Sequence, residues 1–167
     1  MVAAFVVMPP LLVALGLGLG RAGSAYLKFR GTRVIACPER GQPAAVDLSA
    51  VHIALKAVFR KPALRLRDCS NWTGHGRCHQ DCLVQLGAAP EQYRVRSILR
   101  TWYEGKSCVC CGTSMEATDR TKHGPCVISP DLEILEWTDI QPEEIPRVLE
   151  THKPVCWNCL VAETHTW

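Results

Sequence analysis

The chain carries little net charge: 19 Lys and Arg stand against 16 Asp and Glu, a formal +3 over 167 residues. So small a balance neither demands nor excludes an acidic partner such as nucleic acid or an anionic bilayer. No internal repeat, low-complexity tract or obvious linker breaks the sequence, which points to one compact body rather than two. Familiar catalytic signatures are missing as well. No Ser-His-Asp, H-E-x-x-H or paired-carboxylate pattern stands out, and no glycine-rich loop sits between a strand and a helix. Gly112 and Leu160, not histidine, follow the two C-x-x-C motifs, which excludes covalent haem attachment. These absences argue against an enzyme.

Charge is also absent from Val2 to Gly20, an unbroken apolar run. Nineteen helical residues span roughly 28 Å, close to the hydrocarbon thickness of a bilayer. Pro9 and Pro10 would kink or fray such a helix. Ala14 with Gly18, and Gly16 with Gly20, form small-xxx-small pairs that could face another helix. A cleaved signal peptide would carry basic residues before its apolar stretch, and none precedes this one. Arg21, Lys28, Arg30 and Arg33 all follow it, which by the positive-inside rule places the body in the cytoplasm. The expectation is a transmembrane anchor over residues 1–27 in the inner (cytoplasmic) membrane, single-pass, followed by a cysteine-rich metal-binding domain over 28–167. Sub-lobes at 28–104 and 105–167 are allowed for. Export after cleavage near Ala22-Gly23-Ser24-Ala25 is the alternative, and would give the Asn71-Trp72-Thr73 sequon meaning.

Beyond the apolar run, short strands and short helices alternate, so the fold class expected is α+β: a small body of antiparallel strands and two to three helices. Tyr26 to Ala36 reads as a strand. Ser49 is placed to cap a short helix that Pro62 breaks. Ala63 to Arg67 alternates like a half-buried strand, and Cys78 to Leu86 has helical spacing. Pro90 opens an amphipathic helix that Gly105 ends. Val127-Ile128 and Leu132 to Trp137 read as a hairpin, and Pro142 starts a last helix.

Ten cysteines are the outstanding presence. A reducing cytoplasm would make them ligands rather than disulfide partners. Cys108-Val109-Cys110-Cys111-Gly112 contains C-x2-C-G, and Cys156-Trp157-Asn158-Cys159 supplies a second C-x2-C. Such a turn lets two thiolates converge on one metal, and the glycine allows the positive φ the loop often needs. Two such turns complete a tetrahedral site from Cys108, Cys111, Cys156 and Cys159. A thioredoxin-like role is disfavoured, because Cys156 reads as following a helix rather than a strand. The pair of motifs resembles the zinc-ribbon and rubredoxin-like families, in which paired C-x2-C knuckles sit on facing hairpins. That resemblance is confined to Cys108–Gly112 and Cys156–Cys159, and Leu160 departs from it where a glycine is expected.

A weaker second set comprises Cys37, Cys69, Cys78 and Cys82. Cys37-Pro38-Glu39-Arg40-Gly41 looks like a knuckle that has lost its second thiol to Arg40. Cys78 and Cys82, spaced i, i+4, would face one side of a helix. Cys126 reads as a core residue. Cys110 could touch the first site without ligating, or act as a thiol sensor. His79, His75 and His152 neighbour the cysteines without clear ligand spacing; His52, His123 and His165 have no supporting context.

The cofactor expected is zinc, one or two ions, with iron or an iron–sulfur cluster as the alternative, since both accept tetrahedral sulfur. Arg94, Arg96 and Arg100 with Tyr93, Trp102 and Tyr103 form a basic helix with aromatics, and Arg65 and Arg67 a basic strand face. A solvated face over core aromatics accounts for them better than nucleic acid does. The functional expectation is a membrane-anchored, metal-stabilised interaction or assembly protein, or an accessory subunit of a membrane complex with protein partners. An electron carrier is the runner-up. No small-molecule substrate is indicated.

Overall fold

The computed structural model describes residues 2–60, 63–72, 78–115 and 125–164. The expected break at Pro62, and His75, His123 and His165, lie outside them. The described residues form an α+β fold with six α-helices and two three-stranded antiparallel sheets. Helix α1 (Val2–Phe29) leads into a hairpin of β1 (Arg33–Ala36) and β2 (Pro43–Leu48). Helix α2 (Ala50–Ala57) follows, then β3 (Leu66–Cys69), α3 (Cys82–Ala88) and α4 (Val95–Tyr103). The remainder is β4 (Cys126–Ile128), β5 (Ile134–Leu135), a 3-10 turn (Pro142–Glu144), α5 (Ile145–Thr151), β6 (Lys153–Val155) and α6 (Trp157–Thr164). The first sheet has the order β1-β2-β3 and the second β5-β4-β6.

The expected anchor and the single-pass membrane location are corrected. Among the described residues no helix is long and apolar enough to cross a membrane. Helix α1 does not stop at the end of the apolar run but continues through Arg21 and Lys28 to Phe29. Its last turns belong to the body: Ala25 and Phe29 are buried in the first core with Ile35, Val46, Ile53 and Leu86. Helix α1 packs on α2. A side chain at Gly18 would meet Val58 Cγ1 at 3.1 Å, so this glycine serves contact with the chain's own body.

The basic residues behind the positive-inside argument also have a structural use. Arg33 is 0% exposed. Its guanidinium donates to the carbonyls of Phe29 at 2.9 Å, Lys28 at 2.7 Å, Gly31 at 2.7 Å and Pro90 at 3.2 Å. Arg94 adds donors to the carbonyls of Leu27 at 2.7 Å and Lys28 at 2.8 Å. A helix leaves its last carbonyls without partners, and the negative end of its dipole attracts cations. Two arginines from beyond the helix therefore close the C-terminus of α1 and lock it to the body. Burial, then the nearby Arg94 charge, lowers the Arg33 pKa. The strand expected from Tyr26 accordingly begins only at Arg33, after Gly31 turns the chain at φ +87°.

A second core gathers Val34, Tyr103, Met115, Val127, Ile140, Ile145, Val148 and Val155 with Cys108, Cys126 and Cys156. The aromatics of α4 point into it. Tyr103 donates its hydroxyl to the Cys126 carbonyl at 2.7 Å and accepts from Trp137 Nε1 at 2.9 Å. Trp102, Tyr103 and Trp137 meet edge to face, with the Trp102 and Tyr103 centroids 4.8 Å apart. Lys106 Nζ lies 3.5 Å from the Trp102 ring centroid, a cation–π contact at the rim. This packing sits directly behind the cysteines of the second half.

Candidate metal centre

The first thiol pair lies on a tight hairpin turn. Cys108 N–H donates to the Thr113 carbonyl at 2.8 Å and Gly112 N–H to the Cys108 carbonyl at 2.9 Å. Gly112 takes φ +74°, the left-handed region where a side chain is strained. Ser107 bridges Ser114, and Met115 N–H reaches the Lys106 carbonyl at 3.0 Å, so the turn is closed at its base. Val109 N–H donates to the Pro154 carbonyl at 3.0 Å and so ties the turn to β6.

The second pair is built differently. Strand β6 ends at Val155, Cys156 follows it, and Cys159 sits in the first turn of α6. Cys159 and Leu160 N–H donate to the Cys156 carbonyl at 3.1 Å and 3.3 Å. A helix needs no positive φ here, which explains physically why Leu160 stands where a hairpin knuckle has glycine. The motif thus follows a short strand and opens a helix, contrary to the sequence expectation that it follows a helix directly. The strand is antiparallel to β4, however, and the thiols face Cys108 and Cys111 rather than standing alone.

The four ligand atoms of Cys108, Cys111, Cys156 and Cys159 all lie within 4.8 Å of one another. Cys108 Sγ is 3.8 Å from Cys159 Sγ, and Cys111 Sγ is 3.6 Å from Cys156 Sγ. A disulfide requires about 2.05 Å. A tetrahedral metal with bonds of about 2.3 Å to sulfur separates its ligands by about 3.8 Å, which these two pairs match. Cys108 and Cys156 are buried, Cys159 is half-buried and Cys111 is exposed, so the site opens to one side. This group of four cysteines could hold a metal ion.

Backbone donors prepare the sulfurs for negative charge. Cys156 N–H donates to Cys108 Sγ at 3.3 Å. At Cys108 burial acts upward, but the N–H groups of Cys156, Cys111 and Cys110 outweigh it and lower the thiol pKa. Thr113 draws Cys111 down to about 6 through its hydroxyl and its N–H. Its Oγ1 lies 3.2 Å from Cys111 Sγ, a partner no spacing rule in the sequence announces. Burial pushes the Cys156 thiol up. Burial, then contact with the thiols of Cys156, Cys111 and Cys108, pushes Cys159 up. Four crowded thiols share protons in this way until a cation replaces them.

No family model, no curated protein and no solved structure matches this chain. The chemistry has to come from the site itself.

The structure also places the remaining sequence candidates. Cys126 is 0% exposed on β4, and burial pushes its thiol up to about 11. Cys110 is exposed beside the first knuckle. Cys37, Cys69 and Cys82 pack in the first core cluster, far in sequence from the site above. Cys78 precedes α3 instead of sharing a helical face with Cys82, which is the first residue of that helix. Burial, then the nearby Cys78, Cys69 and Cys37 thiols, pushes Cys82 up to about 11. The second set is therefore brought into one neighbourhood, without the 4.8 Å mutual spacing of the first.

The depressed Cys111 thiol gives a pH signature. A pKa lowered on folding contributes stability that is complete above the ordinary thiol value of about 8.5 and is lost as pH falls through the folded value. In metal-free protein, alkylation of Cys111 followed by mass spectrometry is expected to reach half-maximal rate near pH 6, its pKa being about 6. Thr113→Val should move that midpoint upward.

Proposed function

We propose that Cys108, Cys111, Cys156 and Cys159 hold one zinc ion, and that the chain is a metal-stabilised, non-enzymatic interaction or assembly protein. The observation that carries this reading is the pairing of four sulfurs at 3.6 Å and 3.8 Å across two segments 45 or more residues apart. A closed set of four thiolates leaves no position for substrate or water, and such sites are structural. The resemblance to zinc-ribbon knuckles at Cys108–Gly112 supports the same conclusion.

The reading is tested by elemental analysis of protein purified anaerobically. A zinc content lower by one ion per chain in Cys108→Ser with Cys156→Ser than in the wild type is the expected result. Iron together with a visible chromophore would replace it with electron transfer, because the same thiolates accept iron. Protein with no metal at this site would sink it.

A further inference from the structure

The turn that presents Cys108 occurs twice. Cys37 N–H donates to the Gln42 carbonyl at 2.9 Å, and Gly41 N–H to the Cys37 carbonyl at 2.8 Å. The corresponding distances at Cys108 are 2.8 Å to Thr113 and 2.9 Å from Gly112. Gly41 has φ +67° and Gly112 φ +74°. The connection between β1 and β2 is thus a ligand-presenting turn in conformation, with Arg40 at the place of the second thiol.

Three more cysteines surround this turn. Cys69 ends β3, opposite Val46 on the central strand, whereas Pro43 of that strand pairs with Ala36 beside Cys37. Cys69 therefore stands level with Arg33 at the start of β1 and Cys37 just past its end, on the two strands that flank β2. Trp72 N–H donates to the Cys69 carbonyl at 3.0 Å, so the chain turns tightly just after the strand. Gln80 N–H donates to Cys78 Sγ at 3.4 Å, and Gln80 holds φ +60° to do so. Cys82 opens α3, as Cys159 lies in the first turn of α6.

Side chains pin this segment across the first sheet. Gln80 Oε1 accepts from Leu66 N–H at 3.4 Å, and Gln85 donates to the Ala36 carbonyl at 3.1 Å. Glu39 Oε1, on the Cys37 turn, accepts from His79 N–H at 3.1 Å. Burial of Cys82 leaves its sulfur inside, against the half-buried Cys37 and Cys69. Four thiols, one of them with an amide donor on its sulfur, at a strand end, a turn and a helix start, are chemistry suited to a soft divalent cation.

We propose that Cys37, Cys69, Cys78 and Cys82 form a second four-thiolate site for a divalent metal of the zinc class, stapling α3 to the first sheet. The ion draws the half-buried thiols of Cys37, Cys69 and Cys78 onto the buried sulfur of Cys82. The site shares no ligand with the first and stands or falls separately.

The experiment is zinc per chain for three full-length proteins: wild type, Cys37→Ser with Cys82→Ser, and Cys108→Ser with Cys156→Ser. About two ions in the wild type and about one in each variant are expected for two tetrahedral sites. One ion in the wild type, kept by the Cys37/Cys82 variant and lost by the Cys108/Cys156 variant, would overturn the second site and leave the first intact. One ion with the reverse pattern would sustain the second site and remove the first. Thiol labelling of wild-type protein covers the case of variants that fail to fold. Cys37, Cys69, Cys78 and Cys82 should resist iodoacetamide in zinc-loaded protein and react after chelation. Equal labelling before and after chelation would overturn the proposal.

Discussion

Stripping metal from the Cys108–Cys111–Cys156–Cys159 site is expected to unfold the second core. Apparent zinc binding contributes about 10–16 kcal/mol in small zinc modules, as much as the whole net stability of a typical domain. The strands behind the site are short: β4 and β6 have three residues each and β5 two. Strands of that length supply few ladder bonds, and a small sheet needs packing or a staple to persist. Cys108 and Cys156 are themselves part of the core they hold, packed with Met115, Val127 and Val155. Chelation, or Cys156→Ser, should remove near-ultraviolet signal from Trp102, Tyr103 and Trp137. Amide exchange over β4 and β6 should accelerate to nearly unprotected rates. Cys126→Ala is the contrasting variant: a buried thiol outside the ligand set should cost about 1–2 kcal/mol and leave metal content unchanged. A metal-stripped protein whose Tm moves by under about 2 °C would show that the thiols are bystanders.

Arg33→Met is expected to be the most damaging substitution outside the cysteines, by about 3–5 kcal/mol. The wild-type guanidinium satisfies four carbonyls and is 0% exposed, so methionine removes the Arg33 donor from Phe29, Gly31 and Pro90, while Lys28 keeps its bond from Arg94. Hydrogen bonds from charged groups contribute about 1.5–3 kcal/mol, and orphaned carbonyls cost about 1–3 kcal/mol each. Arg33→Lys should recover less than half of the loss, because an ammonium cannot span the fork from Pro90 to Lys28. Urea unfolding gives the magnitude, and amide exchange around Tyr26 to Arg30 gives the place. Arg94→Met, whose head group is less enclosed, should cost less. A loss below about 0.5 kcal/mol for Arg33→Met would mean that α1 is held by its packing on α2 alone.

The ligand set and the seam of the fold differ in how far a sequence can show them. C-x2-C-G at Cys108 announced a tight turn with positive φ, because a short covalent spacing and a glycine restrict the backbone locally, and the turn is there. The alternation of short apolar segments announced an α+β body, and the hairpin of β4 and β5 lies where Val127 and Leu135 indicated. Long-range partners were a different matter. Nothing near Thr113 or Pro154 marked them as partners of the first knuckle. Leu160 looked like a departure until α6 showed that the second pair needs a helix start and not a turn.

The apolar run is where local reading failed. Residues Val2 to Gly20 carry no charge, and the basic residues after them fitted a topology rule. Hydropathy counts side chains one by one, whereas the end of α1 is decided by carbonyls that must find donors. Those donors come from Arg33 and from Arg94, 61 residues apart, and only folding brings the two together. By itself the sequence determined the ligands this protein can offer: four thiols at knuckle spacing and a second set without it. Tertiary structure alone decided which thiols meet and to which body the first helix belongs, because both depend on contacts between residues the chain keeps far apart.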